Sequence, residues 1–295
     1  MPNNFYGLPT RTVENKFLRL EFLADAGPRI VRLSLAGSSE NVLAELPHKK
    51  IEIAHGDFFL RGGHRLWHSP EAMPRTYLPD NAGLRIESID GGVRLRQPTE
   101  ALTGITKSIE IRLDAQRAAA VITHRLQNDG ARAVEFAPWA ITMLPLGGVA
   151  ILPQNIGAVD PPGLLPNRNL VVWPYTRIHD ARLELNDDTI RIYARAELPP
   201  CKIGYFNRRG FIAYWRNNIL FVKRFAPQID QPHPDYHCNA EVYCNDEFIE
   251  LETLAPLMRI EPGQLAMHIE TWELYSGVGS DPKDFLGEID QTVVV

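Results

Sequence analysis

"FIAYWRNNILFVKRF", Phe211 to Phe225, decides the fold class. Two runs of aromatic and β-branched residues flank Asn217-Asn218, and asparagines tolerate the left-handed backbone that a two-residue hairpin turn demands. Neither run holds apolar residues at helical spacing, so the segment is predicted as a β-hairpin. Outward from it the same pattern recurs. "LRIESIDGGVRLRQP" turns at Asp90-Gly91-Gly92, "RLELNDDTIRIYARA" turns at Asn186-Asp187-Asp188, and "NKFLRLEFL" is joined across "ADAGP" to "RIVRLSLAG". Strand-like runs such as "ITKSIEIRLD", "AAVITHRLQND" and "AEVYCN" fill the intervals.

About sixteen runs at this spacing exceed one open sheet and fit packed sheets. The 23 prolines and 21 glycines are spread along the chain, with no linker and no fixed repeat. We therefore expect an all-β chain, residues 1–295 forming a single large antiparallel β-sandwich. Pro47 to Asn81 and Pro153 to Asn169 lack clear strand patterning and are expected to be long loops, which in compact domains often carry function.

Composition narrows the function classes. The 295 residues are 44% hydrophobic, and the net charge is −5. No run of Lys or Arg builds a phosphate-binding stripe, so no nucleic-acid partner is expected. No segment has the apolar length of a signal peptide or membrane span, and a soluble, cytoplasmic protein without a membrane partner is expected. Cys201, Cys238 and Cys244 lack metal-ligand spacing and are expected to be free thiols.

The strand "NDEFIELETLAPL" carries the first chemical signal. Alternation puts Phe248, Glu250 and Glu252 on one face and Ile249, Leu251 and Thr253 on the other. Two carboxylates on one face are either solvated or line a cleft, where they raise one another's pKa and supply a base. In "LAMHIETWELY", His268, Glu270, Trp272 and Leu274 likewise share a face. Carboxylate, imidazole and indole together suit a sugar, which offers apolar C–H faces to rings and hydroxyls to polar groups.

"DFFLRGGHRLWHSPEAMPRTYLPDN", Asp57 to Asn81, adds His64, Arg65, Trp67, His68 and Glu71. The i, i+4 histidines would form a metal face on a helix, but Gly62-Gly63 and Pro70 argue against one, so no metal is expected. As a loop the segment could turn Arg65, Trp67 and the histidines into one cavity. Arg224, Asn239 and Glu241, around a proline-punctuated stretch, are further candidates to border it. Arg61, Arg65 or Arg224 could hold a hydroxyl or a phosphate.

"IELETLAPL" followed by "RIEPGQLAMHIETWELY" resembles the ending of the galactose mutarotase-like superfamily, which includes the aldose 1-epimerases, and "RLQNDGARAVEFAPWAITMLPLGG" is similar to its central strand pair. The resemblance implies a supersandwich fold, a small-molecule sugar ligand, no cofactor, and interconversion of sugar anomers. It gives Glu252 the part of general base and His64, or else His68, that of the acid. Arg65, Trp67, Glu71, Arg224, Asn239, Glu241, Glu250, His268 and Trp272 become candidate substrate contacts. Where the family carries a second histidine, this chain offers Trp139. A non-catalytic carbohydrate-binding domain on the same scaffold is the alternative; glycoside hydrolysis ranks third, because i, i+2 carboxylates on one strand do not flank a bond from two sides.

Overall fold

The computed structural model describes residues 4–279. Among them helix is confined to single turns, and the chain forms strands throughout. The expected hairpins are present: Phe211–Arg216 pairs with Ile219–Phe225, and Asn217 and Asn218 take φ of 50° and 60° at the turn. Asp90-Gly91 joins Arg85–Ile89 to Gly92–Arg96 in the same way. No helix among the described residues is long and apolar enough to cross a membrane.

Two large sheets face each other. One runs Asn4–Phe5, Leu8–Glu14, Leu18–Leu23, Arg29–Leu35, His64–Ser69, Val134–Pro145, Phe248–Leu254, Ala240–Cys244, Cys201–Tyr205 and Val171–Val172. The other is built on Val149–Pro153, Phe211–Arg216, Ile219–Phe225, Leu265–Ser276, Ala119–Asn128 and Ile105–Leu113, with shorter strands at each end. Leu66, Leu144, Ile249, Leu251 and Val242 of the first sheet pack against Ile109, Ile122, Leu126, Phe221 and Trp272 of the second. Fully burying each such side chain contributes about 1.5–3 kcal/mol. This is the expected antiparallel β-sandwich.

One expectation fails. Asp57 to Ser69 is not a loop but two strands, Gly56–Gly62 and His64–Ser69. The first pairs with Glu45–Ile53 to make a separate hairpin, and the second enters the large sheet between Arg29–Leu35 and Val134–Pro145. Gly63 is the joint between them: its φ is +65°, and a Cβ there would lie 2.0 Å from the Ile30 carbonyl oxygen. The paired glycines that argue against a helix are a sharp corner between strands.

The hairpin covers part of the first sheet's outer face. Phe58 and Leu60 from it meet Trp67, Trp139, Ile141, Met143 and Phe248, a second apolar cluster on the side away from the main core. Each central strand of the first sheet is therefore sandwiched, which explains why its residues are buried on both faces.

Candidate functional site

Alternation along His64–Ser69 sends Arg65 and Trp67 outward, and along Phe248–Leu254 it sends Glu250 and Glu252 the same way. Val134–Pro145, lying between these two strands, contributes Trp139 to this face, opposite both Trp67 and Leu254. Ala240–Cys244 brings Glu241, paired in register with Glu252, and Cys201–Tyr205 brings Lys202. The result is a cleft of about 330 Å³ whose lining includes Arg65, Trp67, Glu71, Trp139, Trp173 and Lys202. Tyr77, Tyr175, Tyr243 and Glu250 complete its polar and aromatic surface.

The charges are interlocked. Arg65 Nη2 donates to Glu250 Oε1 at 2.9 Å, and its guanidinium carbon lies 4.1 Å from the centre of the Trp67 ring. Lys202 Nζ donates to Glu252 Oε2 at 2.9 Å and lies 2.8 Å from Glu241 Oε2. It sits between two indoles, 4.8 Å from Trp139 and 4.6 Å from Trp173. Trp139 Nε1 also donates to Glu252 Oε2, at 2.8 Å. Gly204 permits this close arrangement: a Cβ there would lie 2.8 Å from Cys238 Sγ and 3.2 Å from the Trp173 ring.

One ammonium serves two buried carboxylates, and the electrostatics follow. Burial pushes Glu241 well above the usual carboxylate range; Lys202 opposes this, while Glu252 and Asp235 add to it. Glu250 is raised by burial, against the pull of Arg65. Burial works against the charge on Lys202, but Glu241 and Glu252 overcome it and raise the ammonium well above its ordinary value.

Several buried polar atoms here have no protein partner: Arg65 Nε and Nη1, Trp67 Nε1, Glu241 Oε1 and Glu252 Oε1. Buried polar groups are nearly always hydrogen-bonded, so such a concentration marks a place where a ligand or solvent completes the bonding.

Of the residues singled out by sequence, Glu252, Arg65, Trp67, Glu71, Glu241 and Glu250 are brought to this one face, with Glu71 hydrogen-bonded by the Tyr77 hydroxyl at the rim. The expected histidine partner of Glu252 is not. His64 faces the space between the sheets, where its Nδ1 meets Thr142 Oγ1 at 2.9 Å and its Nε2 meets His124 Nε2 at 2.7 Å. His68, four residues along the same strand, also faces inward. It stacks on Phe136 at 4.6 Å, accepts from Arg75 Nη1 at 2.9 Å, and lies 3.5 Å from Glu100. Burial, opposed by Glu100, takes His68 down to about 4. The reason is parity: residues at even positions of this strand point into the core while Arg65 and Trp67 point to the cleft.

His268 and Trp272 also belong to the inter-sheet core, where the ring of Trp272 lies 4.7 Å from that of His64. Arg224 lies on the far side of the second sheet, 2.8 Å from Glu273. Asn239 exchanges hydrogen bonds with the Asn207 backbone and braces the connection leading to Glu241. Sequence reading missed Lys202, Trp173, Tyr175 and Tyr243. Lys202 left a signal, a lone lysine in the apolar run "CKIGYF". Trp173 and Tyr175 follow the irregular Pro153 to Asn169 stretch, and only the tertiary fold turns them toward the cleft.

The inward histidines form a network of their own. His124 Nδ1 lies 3.1 Å from the His268 carbonyl, and His268 Nε2 is 2.7 Å from Thr253 Oγ1, which donates in turn to Glu270. Trp272 Nε1 donates to Glu270 at 2.7 Å, and Lys223 Nζ is 3.0 Å from Glu270 Oε1. Neutral imidazoles satisfy the whole chain: Thr142 to His64 to His124 to the His268 carbonyl, and His268 to Thr253 to Glu270. His64, His124 and Glu270 offer ligand atoms within 4.8 Å of one another, but Lys223 already supplies the positive charge there. A larger cleft of about 440 Å³ elsewhere includes Glu100, whose oxygens are taken up by Lys107, Gln97 and Thr103.

No protein-family model and no curated protein matches the sequence. Solved structures do match in shape. A TPR-domain containing protein from Parabacteroides distasonis superposes with a TM-score of 0.63 at 14% identity; the alignment covers 93% of this chain, which spans 48% of that longer one. A galactose mutarotase-like protein from Lactobacillus casei gives a TM-score of 0.60 at 10% identity, over 90% of this chain and 100% of its own. A proposed aldose 1-epimerase from Escherichia coli gives 0.55 at 12% identity, covering 92% and 100%. The chain thus has the galactose mutarotase-like fold, in a form far diverged in sequence from these solved structures.

Proposed function

We propose that the outer-face cleft binds a sugar and that Glu252 is the base of an anomer interconversion of the aldose 1-epimerase type. The observation that carries this reading is the pair of lining residues with buried, unpartnered N–H groups, Arg65 and Trp67, in an aromatic-walled cleft, with further unpartnered oxygens on Glu241 and Glu252 next to Lys202 of its lining. Several donors and acceptors in fixed positions beside indole faces match a polyol ring.

In the reaction, Glu252 takes the proton of the anomeric hydroxyl as the C1 to ring-oxygen bond breaks, and the ring oxygen receives a proton. The open aldehyde turns about its C1–C2 bond, and closure on the other face reverses both transfers. With His64 and His68 on the opposite face, the acid must be another group. Glu241 is suited to it, because burial and the neighbouring Glu252 shift its carboxyl toward the protonated form against the pull of Lys202, and it is paired with Glu252 in register. Lys202 steadies the remaining negative charge.

Glu252→Gln should slow anomer interconversion of a responsive sugar by about 100-fold or more while sugar binding persists. Polarimetry on freshly dissolved single anomers measures the rate, and an unchanged rate overturns Glu252 as base. A second reading, a carbohydrate-binding domain without catalysis, is favoured by one observation: Glu252 Oε2 is already occupied by both Lys202 and Trp139. Saturable binding with no acceleration by the natural protein selects it.

A further inference from the structure

The charge around the cleft is unbalanced in a direction that selects among sugars. Among the described residues lining it, the cations are Arg65 and Lys202. Arg65 is committed to Glu250, and Lys202 is shared by Glu252 and Glu241. Glu71 stands at the rim with only the Tyr77 hydroxyl on it, and Asp235 is close enough to act on Glu241. Two cations outside the lining are likewise engaged, the buried Arg29 with Asp80 at 2.9 Å and Lys49 with Glu247. A phosphate entering the cleft therefore finds each lining cation already paired with a carboxylate, the free N–H groups of Arg65 lying on a guanidinium that is bonded to Glu250.

A cation meets the opposite. Trp67, Tyr77, Trp139, Trp173, Tyr175 and Tyr243 all line the cleft. The Arg65 and Lys202 side chains already lie on the three indoles, which leaves the rings of Tyr77, Tyr175 and Tyr243 for a ligand. Rings of this kind attract a ligand ammonium, and Glu71 and Glu250 add charge complementarity.

Resting on the sugar-site reading, we propose that the substrate is an unphosphorylated amino sugar bearing a free, protonated amine, held by the aromatic wall and the surplus carboxylate. The hydroxyls meet the unpartnered N–H groups of Arg65 and Trp67, and the ammonium lies toward Glu71 and Glu250. Acetylating the amine removes its charge and with it this part of the recognition.

The test is a calorimetric titration of the full chain at pH 6.5 with glucosamine, glucose, N-acetylglucosamine and glucose 6-phosphate. Glucosamine should bind about tenfold or more tighter than glucose, the scale of a desolvated cation–π contact. N-acetylglucosamine should fall with glucose, and glucose 6-phosphate should be weakest. In Glu71→Gln the ratio of glucosamine to glucose affinity should fall severalfold. Glucose binding as tightly as glucosamine, or glucose 6-phosphate binding tightest, overturns the amino-sugar proposal and leaves the sugar site standing. Silence across all four sugars overturns both; tetramethylammonium binding in that case identifies a cation site that is not a sugar site.

Discussion

The two faces of one sheet carry two clusters of charged and polar groups made from the same strands. Inside, His64, Thr142 and Thr253 join His124, His268, Glu270 and Lys223 of the facing sheet. Outside, Arg65, Trp139, Glu250 and Glu252 join Glu241 and Lys202. The inner cluster is closed: one ammonium meets one carboxylate at 3.0 Å, and none of its fully buried polar atoms lacks a partner. The outer cluster is open, with two cations against a larger number of carboxylates and with Arg65, Trp67, Glu241 and Glu252 incompletely bonded. Burial and residue type do not separate the two. Satisfaction does: a completed network contributes to the fold and its uniqueness, and an incomplete one is available for chemistry.

Removing one partner from the closed cluster is the most severe way to test this contrast. Lys223→Met leaves Glu270 buried without its cation and should cost about 3–5 kcal/mol in urea unfolding. Adding Glu270→Leu should recover part of that loss, because the unpaired charge is removed while Trp272 Nε1 and Thr253 Oγ1 lose their acceptor. Next in size, Glu252→Gln should cost far less stability than Lys223→Met and far more activity, through the rate loss described above. A large stability loss without a rate change would erase the distinction between the faces.

Acid should act on the two faces with opposite sign. Burial holds His124 at about 4 and His268 at about 3, below the ordinary value of 6.5, so the unfolded chain binds protons first. Their contribution is complete above pH 6.5 and is lost as pH falls toward those values. Burial alone would raise Glu270, but Lys223 and the two imidazoles hold it at about 2, so its share is lost between about 4.5 and 2. Glu241 is raised instead, so its protonated form favours folding at low pH and its contribution falls as pH rises above 4.5. Thermal unfolding across pH 4 to 8 should therefore show the natural protein losing stability below 6.5. Glu241→Gln should gain stability relative to it as pH rises. A parallel profile for the two would remove Glu241 from the protonated role. The smallest effect is expected of Glu71→Gln, within about 0.5 kcal/mol in stability, since its carboxylate is exposed at the rim; its consequence should appear in ligand preference alone.

Much of the architecture was legible beforehand. Asn217-Asn218 and Asp90-Gly91 specify their hairpins by turn chemistry alone, and the separation of Glu250 and Glu252 from Ile249, Leu251 and Thr253 follows from strand parity. In one place parity is hidden. His64 and Arg65 are adjacent and polar, and in a loop from Asp57 to Asn81 nothing sets them apart. Once His64–Ser69 is a strand, the two must point to opposite faces, and the imidazole goes to the core.

The sequence by itself determined local geometry: turns, strand runs, which neighbours share a face, and the likeness of its C-terminal motif to the mutarotase-like proteins. Only the tertiary structure decided what each face meets, because that depends on residues far apart in the chain. Glu252 acquires its character from Lys202, and His64 from His124, across separations that periodicity does not encode. Two buried faces of one strand look alike in sequence, since burial follows from being covered at all; whether the covering groups complete the hydrogen bonding is settled by packing.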